Sequence, residues 1–224
     1  MRKSTLTLSL ILWILTCTVQ GQLVSLTPKG GISFSNNYIA TLAKSSFKAG
    51  MAFGISVDYN LNKKKLFLKS ELGFEQKGAK YLYTIGNEGS SSDGEYYTYN
   101  YVNLPILLKL KIGNKNNFFV NTGIYTGYLI SGVHRVQFTI DGEYKKQKVP
   151  MVMQNHQRID FGLVLGGGVG IPISTKDKIL LEARYDFALT SSNGSDSMFF
   201  PKQHTFEFTL GYEFGLKNKQ TILK

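Results

Sequence analysis

The stretch KILLEARYDFALT, residues 178–190, decides the fold. Every second residue from Ile179 onward is apolar (Ile179, Leu181, Ala183, Tyr185, Phe187, Leu189), and Glu182, Arg184 and Asp186 fall between them. A helix would mix these two sets on one face, whereas a strand sends them to opposite faces. The stretch RIDFGLVLGGGVG (158–170) does the same, with Ile159, Phe161, Leu163 and Leu165 set against Arg158, Asp160, Gly162 and Gly166. HTFEFTLGYEF (204–214) sets Phe206, Phe208, Leu210, Tyr212 and Phe214 against Thr205, Glu207, Thr209, Gly211 and Glu213. Further strands are readable over Gly30–Ser35, Ala49–Tyr59, Leu66–Lys77, Tyr97–Ile112 and Phe118–Ser131. Several are long enough to cross a bilayer as tilted strands, which takes roughly 9 to 11 residues.

The connections alternate in length. Asn60–Lys65, Gly113–Asn117 and Pro172–Asp177 are short and polar, while Asn36–Lys48, Gly78–Tyr96, Gly132–Gln157 and Ser191–Gln203 are longer. Short turns at one end and long loops at the other are the pattern of an outer-membrane barrel with periplasmic turns and extracellular loops. The fold expected is therefore all-β, a closed eight-stranded antiparallel up-and-down transmembrane barrel. Within Gly132–Gln157, Asp141-Gly142 is a hairpin signal between an arm from Val133 to Ile140 and a second arm toward Val152.

The two faces differ in bulk as well as polarity. The apolar face is large, whereas the charged face carries Gly162, Gly166, Gly168, Ala188 and Gly211, which suit a crowded interior. The apolar face is accordingly expected to meet lipid. The lumen should then hold a polar network of Lys69, Glu71, Glu75, Lys109, Arg158, Asp160, Glu182, Arg184, Asp186, Glu207 and Glu213. An eight-stranded barrel has an interior just wide enough for side chains to fill it, so these charges are expected to pair and plug it. Aromatic girdles are expected from Tyr59, Phe118, Phe119, Tyr212 and Phe214 below and from Tyr81, Tyr83, Tyr97, Tyr99 and Tyr128 above. The rival architecture is an exported ligand-binding barrel of the lipocalin type.

Several of these stretches resemble the PorT-like outer-membrane β-barrel family of Bacteroidetes. They are YVNLPILLKL (101–110), the 158–170 run, Glu182-Ala183-Arg184-Tyr185 and Leu210-Gly211-Tyr212-Glu213-Phe214, with Glu71-Leu72-Gly73-Phe74 and Gln76-Lys77-Gly78 resembling the family's third strand. The resemblance runs in the same order through nearly the whole mature chain. It implies an eight-stranded barrel in a Gram-negative outer membrane. The family's founding member is associated with type IX secretion, so an envelope or secretion protein is an implied partner. The chain departs from the pattern in continuing past Phe214 through Gly215–Lys224.

Composition and the N-terminus fit export. Met1-Arg2-Lys3 precedes the apolar run Leu6–Val19, and Val19-Gln20-Gly21 supplies a cleavage site, which predicts a signal peptide over residues 1–21 and a barrel domain over 22–224. A lipoprotein signal using Cys17 is the alternative, poorly matched by Ile14-Leu15-Thr16. Cleavage removes Trp13 and Cys17, the lone tryptophan and cysteine. It also removes Arg2 and Lys3, so the formal charge falls by two from +11 to +9. A cysteine-free mature chain has no disulfide, thiol nucleophile or cysteine-ligated zinc. Mean hydropathy is -0.10, and the body lacks the run of about 18 apolar residues that a membrane helix needs.

Catalytic constellations are sparse, and the expectation is a non-enzymatic protein without cofactor or metal. Gly166-Gly167-Gly168-Val169-Gly170 lacks the Lys-Ser/Thr of a phosphate loop, and glycine within a strand makes room for a neighbour. His134, His156 and His204 have no ligand spacing. Ser131 with His134, or Ser197 with His204, would be needed for a lipid hydrolase, but neither pair has an orienting acid. Lys63-Lys64-Lys65 reads as a solvated turn, while Lys145, Lys146 and Lys148 are placed to meet phosphorylated lipopolysaccharide outside the cell. Asn193-Gly194-Ser195 reads as a turn rather than a glycosylation site. The expected setting is a monomer in the outer membrane among lipid and lipopolysaccharide, with no nucleic acid.

Overall fold

The computed structural model describes residues 22–38, 45–62, 65–83, 93–113, 117–140, 143–150, 157–191 and 202–216. The expected signal peptide, Lys63-Lys64, His156, Asn193-Gly194-Ser195, Ser197 and the end of the tail lie outside the described residues. Ten strands follow in chain order: β1 Gln22–Tyr38, β2 Ser45–Ser46, β3 Lys48–Asn62, β4 Leu66–Tyr83, β5 Asp93–Ile112, β6 Phe118–Ile140, β7 Glu143–Pro150, β8 Ile159–Pro172, β9 Lys178–Ser191 and β10 Lys202–Gly215. Eight of them form a closed antiparallel ring, β1-β3-β4-β5-β6-β8-β9-β10, shut by β1 against β10 from Ser25↔Gly215 to Tyr38↔Lys202. Closure matters because a strand edge in hydrocarbon would leave its N–H and C=O groups unpaired.

Alternation sets the faces all round the ring. Leu72, Phe118, Leu165 and Leu210 are more than half exposed, while Lys69, Glu71, Lys109 and Arg184 are buried at 1–4 %. This is the reverse of a water-soluble protein, and it is the arrangement of a wall whose outer solvent is lipid. Pro105 sits in β5 with its ring fully buried. It has no N–H to give, and the ladder between β4 and β5 lapses beside it, between Ser70↔Ile106 and Gly73↔Asn103. Gly113 takes φ +85 in the turn after β5, a conformation that L side chains rarely adopt.

The strands reach further than their alternation alone announces. β1 runs to Tyr38, β4 to Tyr83, and β5 starts at Asp93, so parts of the segments expected as long loops are strand. The two arms expected on either side of Asp141-Gly142 pair with each other, Val133↔Pro150 through Ile140↔Glu143, while Asp141 and Gly142 themselves lie outside the described residues. Together β4, β5, upper β6 and β7, with β2 on the β4 edge, make a sheet that rises above the ring on the long-loop side.

Candidate functional site

Three tiers of ion pairs fill the lumen. Nearest the short turns, Lys109 Nζ lies 2.6 Å from Asp58 Oδ2 and 3.6 Å from Glu213 Oε2, above the Phe119 ring at 4.6 Å. In the middle, Lys29 Nζ meets Glu71 at 2.9 Å and Glu207 at 3.2 Å, and Lys69 Nζ meets Glu182 at 2.7 Å. Arg184 crosses this tier and touches Glu71 at 3.1 Å, Asp186 at 3.0 Å and Glu207 at 2.6 Å. Toward the long loops, Lys77 Nζ meets Asp160 Oδ2 at 3.0 Å and sits over the Tyr125 ring at 4.3 Å. Tyr125 Oη donates to the same Asp160 oxygen, and Asn103 Nδ2 donates to Glu75. Buried charges persist only where partners replace water, and each cation here has at least one carboxylate within 3.2 Å.

Of the eleven charges expected in the lumen, the structure buries Lys69, Glu71, Glu75, Lys109, Asp160, Glu182, Arg184, Asp186, Glu207 and Glu213. Arg158 is the correction. It is exposed and donates to Tyr128 Oη at 3.0 Å, because β8 begins at Ile159 and the two-residue period no longer binds the position before it. Lys29, Lys77 and Asp58 were missed. Lys77 continues the odd-numbered series Lys69, Glu71, Glu75, and Asp58 falls between outward Val57 and Tyr59, so period two held both signals. Lys29 lies below Gly30, the start expected for the first strand, which begins at Gln22.

Glycine on β8 makes the packing possible. Gly162, Gly166 and Gly168 pair in register with Tyr125, Asn121 and Phe119 of β6. A Cβ at each would lie 2.5 Å from the Tyr125 ring, 2.5 Å from Asn121 Oδ1 and 2.6 Å from the Phe119 ring. Among the described residues one acidic group, Glu75, Asp186 and Glu207, has carboxylate oxygens within 4.8 Å of one another. Both Glu207 oxygens are already taken, one by Lys29 and one by Arg184, so the arrangement is that of a salt-bridge network.

Above the ring, the sheet has two unlike faces. Its inner face continues the lumen with Tyr81, Tyr97, Tyr99 and Tyr101, and His134 stacks on Tyr97 at 4.3 Å beside Glu95, which accepts from Tyr97 Oη at 2.7 Å. Tyr81, Tyr97, Tyr99 and Phe119 are therefore interior residues and not girdle residues, since odd positions of β4 and β5, and of β6 from Phe119 to Leu129, point inward; Phe118, Tyr128, Tyr212 and Phe214 do face out. The outer face carries Lys80, Tyr96, Arg135 and Lys148, which pair in one row across β4, β5, β6 and β7.

The outer membrane protein beta-barrel domain family matches residues 20–194, most of the chain. The chain belongs to this outer-membrane barrel family. It is an integral outer-membrane protein. Among solved structures, the Neisserial surface protein A is similar at 11 % identity over 85 % of this chain and 97 % of that one, with a TM-score of 0.41. Ail of Yersinia pestis is similar at 13 % identity over 86 % and 100 %, TM-score 0.40, and OprG of Pseudomonas aeruginosa at 12 % over 89 % and 100 %, TM-score 0.40. No curated protein matches the chain.

In this outer-membrane barrel the serine and histidine singled out on β6 do not meet as a pair. Ser131 is exposed on the outer face, where it accepts from Asn100 Nδ2 at 2.8 Å, while His134 turns to the inner face against Tyr97. His204 is bound to Tyr185 Oη at 2.6 Å on the outer wall.

Proposed function

We propose that this outer-membrane barrel is a non-enzymatic interaction protein whose closed body holds a sheet out from the cell surface. The observation that carries this reading is the continuation of β4, β5, β6 and β7 beyond the ring as a paired sheet, while the lumen beneath is filled by ion pairs. A rigid scaffold with its specific residues on the projecting connections is how binding barrels are built. Planar-bilayer recordings of the refolded protein should show no steady conductance, and a sustained porin-like open state would reject the closed-body reading.

The resemblance to PorT-like barrels supports a finer assignment, an accessory part in protein secretion with an envelope protein as partner. Removing the gene should then leave secreted proteins inside the cell. Full-length protein should restore export, and a variant lacking Asp141 to Lys148 should insert normally without restoring it. Unchanged export in the gene-deleted strain would sink the secretion role and leave the surface role standing.

A further inference from the structure

The outer face of the raised sheet is basic in a way that the fold itself does not require. Lys80 pairs with Tyr96, Tyr96 with Arg135 and Arg135 with Lys148, so their side chains stand in one row on one face. The row above it, Leu82, Gly94, Gln137 and Lys146, and the row below, Gly78, Thr98, Val133 and Pro150, contain no acid. Glu95 of the same strands is turned to the opposite face, where it bonds Tyr97 and faces His134 at 3.4 Å. Like charges directly opposite on paired strands are destabilising, and Arg135 and Lys148 are directly opposite and both exposed.

Position says what anion the row meets. Among the described residues Ile130 is the last exposed aliphatic residue on the outer side of β6, and Arg135 lies five residues beyond it, roughly 16 Å along a strand at about 3.3 Å per residue. A tilt of about 40° reduces that to about 12 Å above the hydrocarbon, the level of a sugar-phosphate head group. Tyr96 lies within the row with Lys80 Nζ 5.2 Å above its ring, an amphipathic group of the kind that sits at membrane interfaces.

We propose that Lys80, Arg135 and Lys148, with Tyr96 between them, form a binding strip for the phosphorylated saccharide head groups of outer-leaflet glycolipid. This rests on the reading of the raised sheet as the interaction surface and names its partner. The strip anchors the sheet against the leaflet that surrounds the barrel, with phosphate oxygens bridging the facing cations.

Native mass spectrometry of the folded barrel, titrated with bisphosphorylated lipid A, tests it. Wild type should bind this lipid roughly tenfold or more tightly than dephosphorylated lipid A, and added salt should narrow the gap. R135Q/K148Q should bind both lipids equally weakly, R135K/K148R should retain the preference, and K145Q on the inner face should behave as wild type. An unchanged preference in R135Q/K148Q, or an equal loss in K145Q, would overturn the inference. Each variant is first checked for the heat-sensitive gel shift of a folded barrel. A barrel that conducts as an open channel rejects the closed-body reading, whereas a folded, closed barrel whose lipid A affinity ignores Arg135 and Lys148 rejects only the strip.

Discussion

On β6, Val120, Ile124 and Tyr128 face out from the barrel, and seven residues past Tyr128 so does Arg135. Inward, the same strand passes from Asn121 and Tyr125, among the ion pairs, to His134, stacked on a tyrosine. The alternation is common to both regions and fixes only which residues share a face. The solvent on each side decides what those residues are. In the body the outer solvent is lipid and the inner space is closed, so charges are inside and must neutralise one another. In the raised sheet the outer solvent is water and head groups, so the cations return to the outer face.

The sharpest way to break this contrast is to remove one charge from the closed side. Arg184 is 4 % exposed and holds Glu71, Asp186 and Glu207 together, so Arg184→Ala leaves three carboxylates without their shared cation. Loss of about 3 to 5 kcal/mol is expected, read from urea unfolding followed by gel shift. Arg135→Ala on the raised sheet, the same residue type in the other setting, should change stability by less than about 0.5 kcal/mol, as surface substitutions do. Equal effects at the two positions would mean that the lumen is wet and the pairing in it is solvated.

The converse substitution places a charge on the lipid side. Leu163, Leu181 and Phe208 are 45–49 % exposed on the outer wall, and arginine at any of them near the bilayer midplane should cost about 2 to 4 kcal/mol. Cysteine labelling from the lipid phase should reach position 181 and not position 182. Labelling at Glu182 in place of Leu181 would invert the faces.

Packing inside the body can be tested without charge. Gly168→Val puts methyl groups where a Cβ alone would stand 2.1 Å from Leu181 O and 2.6 Å from the Phe119 ring, so overpacking of about 1 to 3 kcal/mol is expected. Gly167 is its outward neighbour, where a Cβ would meet nothing closer than 3.1 Å, and Gly167→Ala should cost less. Similar costs at both would show that strand propensity, not space for Phe119, governs the glycine run.

These residues also show what was legible in the sequence. The body was legible because one period, two residues, governs Lys69, Glu71, Glu182 and Glu207 alike, and because bulky residues on the same strands sit on the other parity. The partner of each charge was not, since Lys69 and Glu182 are 113 residues apart and their meeting depends on ring closure. The raised sheet was harder for a local reason. Between Tyr101↔Leu129 and Asn100↔Ser131 the register slips, and Ile130 is the extra residue of a bulge. Bulges re-aim the strand, so inward positions on β6 are Asn121, Tyr125 and Leu129 below it and His134 above it. Counting by twos from Phe119 would have turned Arg135 inward, and period alone gives no warning of the slip.

The smallest expected effect is the one that separates the two regions most cleanly. β7 pairs only with the upper part of β6, from Val133↔Pro150 to Ile140↔Glu143, whereas the ladder between β6 and β8 occupies Phe118 to Tyr128. None of the three tiers of lumen charge draws on a residue beyond Asp160 and Tyr125 in this part of the chain. Deleting Asp141 to Lys148 therefore removes most of β7 and leaves every ring ladder and every buried ion pair in place. Insertion, the gel shift and the urea midpoint should stay as in wild type, with a stability change below about 0.5 kcal/mol. A deleted protein that fails to insert would place this segment in the bilayer and overturn the topology. One that inserts normally makes the raised hairpin a separable element, held by the barrel and not needed by it.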